Sequence, residues 1–224
     1  MKKLIFVFDV DSTIIKIESL NNIISKNIKN EDEIKRLSEI SAKALNGEYD
    51  YHKAFLERFY LTKLTKENFI NENKIIEKNL IHGIKRIINF IKKQKHEIFL
   101  VSGGFRINIL HVAKLLKIIP SKIFSNDFSI NKSDNTLSLI ESSLIYGNGK
   151  SIICKKIKDM FENPTLIMIG DGVTDLEVYK EKIADEFIGV GYVVSREKVL
   201  KESNYFAKNI NELRDIIKQI ILKY

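Results

Sequence analysis

The chain reads as an α/β protein: a doubly wound parallel sheet with a helical domain inserted into it. Three observations predict this. Short apolar strands alternate with longer amphipathic stretches over most of the 224 residues. The first strand, Leu4-Ile5-Phe6-Val7-Phe8, runs directly into Asp9-Val10-Asp11, the polar strand end where open α/β sheets bind ligands. Residues 16–80 break the alternation, because they carry helical periodicity without a strand.

Taken in order, the predicted strands are Leu4–Phe8, Glu97–Val101, Lys122–Phe124, Thr165–Ile169, Glu186–Val190 and Tyr205–Ala207. The predicted helices are Ile81–Lys95, Phe105–Leu116, Lys150–Phe161, Thr174–Lys182, Arg196–Glu202 and Ile210–Leu222. Asp127–Asn131 and Thr136–Ile140, separated by the polar turn Lys132–Asn135, predict a β-hairpin. Pro120 and Pro164 fall in connections just before strands, where a missing N–H costs nothing. In 16–80 the apolar positions include Leu20, Ile23, Ile24, Ile34, Leu37, Phe55, Phe59 and Leu64, and Gly47-Glu48-Tyr49-Asp50 marks a helix break. The expected organisation is a core made of 1–15 and 81–224, with 16–80 as a helical cap.

With 44% hydrophobic and 29% charged residues, the composition is that of an ordinary soluble protein. The net charge of +8 comes mostly from scattered Lys, without an Arg-rich block or interleaved aromatics, which argues against nucleic acid as a partner. A positive field favours an anionic small molecule. The single cysteine, Cys154, excludes an intrachain disulfide and reads as a half-buried helical thiol. No apolar run approaches membrane-spanning length and the N-terminus does not read as a signal peptide, so the expected location is the cytoplasm, with no membrane partner. The four histidines lack metal-ligand spacing.

Four polar signals carry the chemistry. Asp9 and Asp11 project from one side of the first strand's end, because strand side chains alternate with a period of two. Two carboxylates that close repel unless a cation or a shared proton intervenes, so the pair predicts a Mg²⁺ site with an acid that reacts. Ser102-Gly103-Gly104 follows the second strand and is expected as a turn opening a helix, where backbone N–H groups suit a phosphate. Gly147-Asn148-Gly149-Lys150 puts a lysine at a helix start, against the dipole, which hints at an anionic partner. Gly170-Asp171-Gly172-Val173-Thr174-Asp175 puts two acids in a Gly-bearing turn suited to a hard cation, although Thr174 or Asp175 serves equally well as a helix cap. Acids, a hydroxyl, backbone donors and a lysine on one rim suit phosphoryl transfer, with a carboxylate attacking in line.

The set DVDST, SGG, GK and GDGVTD, in that order between residues 9 and 175, resembles the haloacid dehalogenase superfamily. More narrowly, it is similar to the phosphoserine phosphatases, and the likeness extends to both ends of the chain, including Ala184–Gly191. The resemblance implies a Rossmann-like core with an inserted cap, and hydrolysis of O-phospho-L-serine to L-serine and phosphate through an aspartyl-phosphate. By that likeness Asp9 is the nucleophile and Asp11 the general acid/base. Mg²⁺ would be held by Asp9, Asp11 (through its main-chain carbonyl) and Asp171. Ser102, Gly103, Gly104 and Lys150 would take the phosphate, and Asp175 would orient the metal site or Lys150. Glu18 would pair with the substrate ammonium and Arg58 with its carboxylate. Thr174, Arg196, Leu45 and Asn46 match further substrate-side positions. A monomer or a homodimer is expected.

The sequence departs from the family at Leu45-Asn46, where Met-Gly is common, at Tyr51, where an apolar aromatic is common, and loosely over Ser133–Gly149. Two alternatives stay open: a phosphatase for a nucleotide or sugar phosphate, and a non-catalytic phospho-ligand or nucleic-acid binder on the same fold.

Overall fold

The computed structural model describes residues 3–224 and contains a seven-stranded sheet. The strands are β1 (Leu4–Phe8), β2 (Glu97–Phe105), β3 (Ile123–Ile130), β4 (Leu137–Ile140), β5 (Thr165–Gly170), β6 (Glu186–Val190) and β7 (Tyr205–Ala207). Their order across the sheet is β4-β3-β2-β1-β5-β6-β7. All neighbours pair in parallel except β3 and β4, which form the antiparallel hairpin. The order reverses direction on either side of β1, so β1 and β5 flank the switch point, and ligands bind beyond strand ends there.

Both faces of the sheet are covered, which explains why its central strands are apolar throughout instead of alternating. Leu4, Phe6 and Phe8 pack with Ile98, Leu100, Ile167 and Ile169 against α5 (Ile84–Lys93), α6 (Arg106–Leu116) and α10 (Ile210–Lys223). Ile5 and Val7 pack on the other face with Phe99, Val101, Leu166 and Met168 against α7 (Gly149–Asp159), α8 (Val173–Lys180) and α9 (Glu197–Glu202). Cys154 is buried in that second layer rather than half-buried, and burial pushes its thiol up to about 12, so it is an inert apolar residue here.

Residues between β1 and β2 form four further helices: α1 (Ser19–Ser25), α2 (Glu31–Leu45), α3 (Tyr51–Phe59) and α4 (Lys66–Lys78). The local signals are plain. Asn30 caps α2 by accepting from the Asp32 N–H, and Asp50 caps α3 by accepting from the Lys53 N–H. Leu20, Ile23, Ile24, Leu37, Phe55, Phe59, Leu64 and Phe69 make their core, which also takes in Phe105, Leu137 and Ile145 from the sheet side. Phe105 is the hub, with ring centroids of Phe69, Phe59, Phe128 and Phe55 at 5.0, 5.3, 5.7 and 5.9 Å. This aromatic cluster holds α3 and α4 down on the end of β2.

Two sequence expectations change. Ser102-Gly103-Gly104 is not a turn opening a helix: β2 runs through it to Phe105, and α6 starts only at Arg106. Val101 pairs with Phe124 but Phe105 with Asn126, so extra residues of β2 are accommodated in a bulge. The bulge frees Ser102–Gly104 from regular pairing, which a turn signal in the sequence does not distinguish. Lys122–Phe124 and Asp127–Asn131 are also not separate strands but one, β3, which serves β2 in parallel and β4 in antiparallel.

Candidate active site

Asp9 continues the line of β1 by one residue: its N–H donates to the Ile169 carbonyl (2.9 Å). Its carboxylate is thereby held at the β1/β5 edge. The chain then curls back on itself, with the Ile14 and Ile15 N–H groups donating to the Val10 carbonyl at 2.7 and 3.1 Å. Ser12 takes a left-handed φ of 55° in this curl, an uncommon setting for a residue with a side chain. It sends the Ser12 hydroxyl to Glu18 (2.8 Å) and brings Asp11 to the start of α1.

There the Asp11 Oδ2 accepts from both the Ser19 N–H (2.9 Å) and the Ser19 hydroxyl (2.8 Å). Its other oxygen is buried without a partner among the described residues. Burial, then the nearby Glu18 and Asp9 charges, push the Asp11 carboxyl well above its ordinary value, against the pull of the Ser19 bonds. A buried carboxyl whose proton is held more tightly than usual, with one oxygen free, is equipped to give a proton.

Lys150, in the first turn of α7, is buried between two acids. Its ammonium lies 2.9 Å from Asp9 Oδ1 and 2.6 Å from Asp175 Oδ1. Burial pulls its pKa down, but Asp175 and Asp9 outweigh that and hold it well above the usual lysine value. Asp175 in turn accepts at Oδ2 from the Gly172 N–H (3.0 Å). Gly170 makes room for it, since a Cβ there would overlap the Asp175 carboxylate. Burial raises Asp175 to about 7, with Lys150 opposing.

Asp171 sits at the end of β5, the strand beside β1. Its Oδ2 takes a two-pronged contact from Arg196, with Nη2 at 3.0 Å and Nε at 3.2 Å, and its Oδ1 accepts from the Thr13 hydroxyl at 3.3 Å. Burial, with Glu18 and Asp9, raises Asp171, and Arg196 opposes.

One oxygen each from Asp9, Asp171 and Asp175 lie within 4.8 Å of one another, all buried. Hard carboxylate oxygens gathered this closely fit a divalent cation that prefers oxygen. Both Asp175 oxygens are already engaged, by Lys150 and Gly172, so Asp9 and Asp171 are the better placed donors. The Asp11 carboxylate is turned onto Ser19 and stands outside this group, so Asp11 has only its main-chain carbonyl to offer, as the family resemblance implies.

The fit has a measurable consequence. A carboxyl whose folded pKa is raised gains a proton on folding, so its stabilising contribution is present below the unfolded value near 4 and is lost as the pH rises through the folded value. Asp11, Asp171 and Asp175 all lie in that direction, with Asp175 near 7. In chelator, Tm should therefore fall between pH 5 and pH 8, and an added divalent cation should raise Tm more at pH 8 than at pH 5. Calorimetry at the two pH values checks this; a pH-independent gain would count against cation binding by these acids.

These groups line a cavity of about 40 Å³ with Glu18, Leu20, Asn21, Tyr51, Phe55, Arg58, Ser102, Gly103, Gly104, Gly172 and Thr174. Ser102 is buried, and its Oγ accepts from the Gly104 N–H (3.0 Å). Arg58 is 5% exposed. Its Nε donates to the Ala54 carbonyl (3.0 Å) and its Nη1 to Ser41 Oγ (3.1 Å) and Asn21 Oδ1 (3.4 Å), and it has no carboxylate partner among the described residues.

Most expected site residues meet here, and three need comment. Arg196 is not on the cavity wall but on Asp171, where it shares that acid with any cation bound there. Asn46 is exposed; its Oδ1 accepts from Arg196 Nη1 at 3.5 Å and its Nδ2 donates to Glu48 at 3.4 Å, away from the cavity wall. The Leu45 side chain lies outside the described residues.

Sequence reasoning marked Tyr51 only as a departure from the family, and missed Phe55 on the cavity wall, Ser19 on Asp11, and Thr13 on Asp171. A signal existed for the two wall residues: Tyr51, Phe55 and Arg58 fall at i, i+4 and i+7 on α3, one helix face.

Comparison with known proteins agrees with this geometry. A family model described as haloacid dehalogenase-like hydrolase matches residues 4–181. Human "Phosphoserine phosphatase" is 33% identical over 214 residues, covering 92% of this chain and 89% of that protein. A solved phosphoserine phosphohydrolase-like protein from Francisella tularensis superposes with a TM-score of 0.88 at 30% identity, covering 97% of this chain and all of that one (100%). A substrate-bound phosphoserine phosphatase complex, at 22% identity, shares the fold with a TM-score of 0.82 over 98% of this chain and 99% of that one. The chain belongs to the haloacid dehalogenase-like hydrolases, among the relatives of the phosphoserine phosphatases.

Proposed function

We propose that this enzyme hydrolyses O-phospho-L-serine to L-serine and phosphate with Mg²⁺ as its cation. One observation carries the substrate: a buried arginine without an acid partner among the described residues, Arg58, shares a cavity with the carboxylates Glu18 and Asp9. A buried guanidinium is costly unless an anion meets it, and its fork matches a carboxylate. Glu18 would pair with the substrate ammonium.

In this reading Asp9 attacks phosphorus in line, forming an O–P bond while the bond to the serine oxygen breaks. Asp11 gives its proton to that leaving oxygen and so becomes a carboxylate. It then takes a proton from the water that attacks the aspartyl-phosphate, which restores Asp9 and releases phosphate. The free oxygen and raised pKa of Asp11 support its starting as the acid. Lys150 balances negative charge on Asp9 and the phosphoryl oxygens, while Asp175 aims it. Ser102 and Gly103 lie where the phosphate would rest. Asp9, Asp171 and the Asp11 main-chain carbonyl would hold Mg²⁺, which supplies charge neutralisation at the phosphoryl group.

Residues 16–80 would act as the cap and 1–15 with 81–224 as the core; opening of the cap would admit substrate, and closing would exclude water.

A panel of phosphomonoesters, with and without Mg²⁺, tests the proposal. Phosphoserine should exceed nucleotide and sugar phosphates in kcat/KM by at least about 10²-fold, as expected when a buried charged group loses its partner. Equal rates across the panel would overturn the substrate and keep the hydrolase.

A further inference from the structure

Tyr51 stands in the first turn of α3, and its hydroxyl hangs over the bulge of β2. A Cβ built on Gly103 would lie 2.5 Å from that hydroxyl, so the close approach needs glycine at 103. The hydroxyl makes no hydrogen bond to any described residue, although the ring lines the cavity together with Asp9, Glu18, Arg58 and Lys150. A polar group in a confined site is rarely left idle.

The backbone that carries the ring is also well held. Asp50 caps α3. His52 stacks on Tyr146 with ring centroids 4.4 Å apart. The Tyr51 Cβ packs beside Gly147, in the loop that leads into Lys150. Burial raises the phenol above its ordinary value, with Arg58 and Lys150 opposing, so it is a neutral donor at physiological pH. A neutral donor beside Gly103 and Lys150 faces the phosphate end of the cavity, whereas Arg58, two turns along the same helix face, reaches toward Ser41 and Asn21 at the other end.

We propose that the Tyr51 hydroxyl donates a hydrogen bond to a non-bridging oxygen of the phosphoryl group. One face of α3 then reads both ends of the substrate, Tyr51 the phosphate and Arg58 the carboxylate. The bond spans from α3 to the bulge of β2, so it forms only while α3 is docked on the sheet, and it ties that docking to the presence of phosphate. The inference rests on the reading that phosphate lies at Ser102 and Gly103.

The test is Tyr51→Phe, which keeps the ring and removes the donor. Titration calorimetry with inorganic phosphate and Mg²⁺ should show about tenfold weaker binding than the unmodified enzyme, as for one hydrogen bond to a charged group. The kcat/KM values for phosphoserine and for p-nitrophenyl phosphate should fall by a common factor of about the same size, with Tm unchanged. Phosphate affinity equal to that of the unmodified enzyme would overturn the proposal, as would a loss confined to phosphoserine, which would move the hydroxyl to the amino-acid end. If phosphoserine itself proves a poor substrate, the substrate reading fails, and the phosphate titration still decides the role of Tyr51.

Discussion

Asp9→Asn should lower phosphate release by at least about 10⁴-fold, the scale expected when an attacking group is removed from a site that works as a unit. The loss should appear in kcat. Asn keeps the shape and the main-chain bond to Ile169, but its amide is not a nucleophile toward phosphorus. The fold should survive. Asp9 is one of the charges that raise Asp11, Asp171 and Asp175, so neutralising it relieves repulsion even as Lys150 keeps only Asp175. Single-turnover kinetics with labelled substrate checks both parts. The unmodified enzyme should carry label on Asp9, and the variant should carry none. Retained Mg²⁺-dependent turnover in the variant would remove Asp9 from the role of nucleophile.

Arg58→Ala should lower kcat/KM for phosphoserine by about 10²–10³-fold, or about 3–4 kcal/mol of transition-state binding. Two hydrogen bonds from a guanidinium to a carboxylate are worth this much where water is excluded. An aryl phosphate has no carboxylate to lose, so its kcat/KM should fall far less, and the ratio between the two substrates is the readout. Arg58→Lys should recover only part of the difference, because an ammonium lacks the planar fork. The ratio separates recognition from structure: Arg58 also packs over Phe55 at 6.0 Å, and loss of that packing would depress both substrates together. Equal losses for the two esters would mean that Arg58 supports the cavity wall without reading the carboxylate.

The two substitutions probe groups of very different legibility. Asp9 can be read from ten residues of sequence, because a β-branched and aromatic strand ending in an acid is a local pattern, whereas Asp11 leaves the strand line in the curl at Ser12. The central strands are equally legible: β1 and β6 match their predicted bounds, and the period-two alternation assigns Phe6 and Val7 to opposite layers. Arg58 is less so. Its helix is visible in the spacing of Phe55 and Phe59, yet nothing local says that the arginine points inward to Ser41 and Asn21. The bulge at Ser102–Gly104 was not legible, since Ser-Gly-Gly serves a turn and a bulge equally, and only pairing with β3 distinguishes them.

Patterns along the chain are enough to give the sheet, the helical segment between β1 and β2, and the positions where acids, glycines and a lysine leave strand ends. Those are consequences of periodicity and strand-end polarity, which act over a few residues. The tertiary structure decided which charge answers which. It gave Lys150 to Asp9 and Asp175, set Arg196 on Asp171, turned Asp11 onto Ser19, and laid the Tyr51 hydroxyl over Gly103. Electrostatic partners are chosen by distance and burial in three dimensions, where a pair within 3 Å outweighs any pattern along the chain. Such distances exist only once the helices have packed on the sheet.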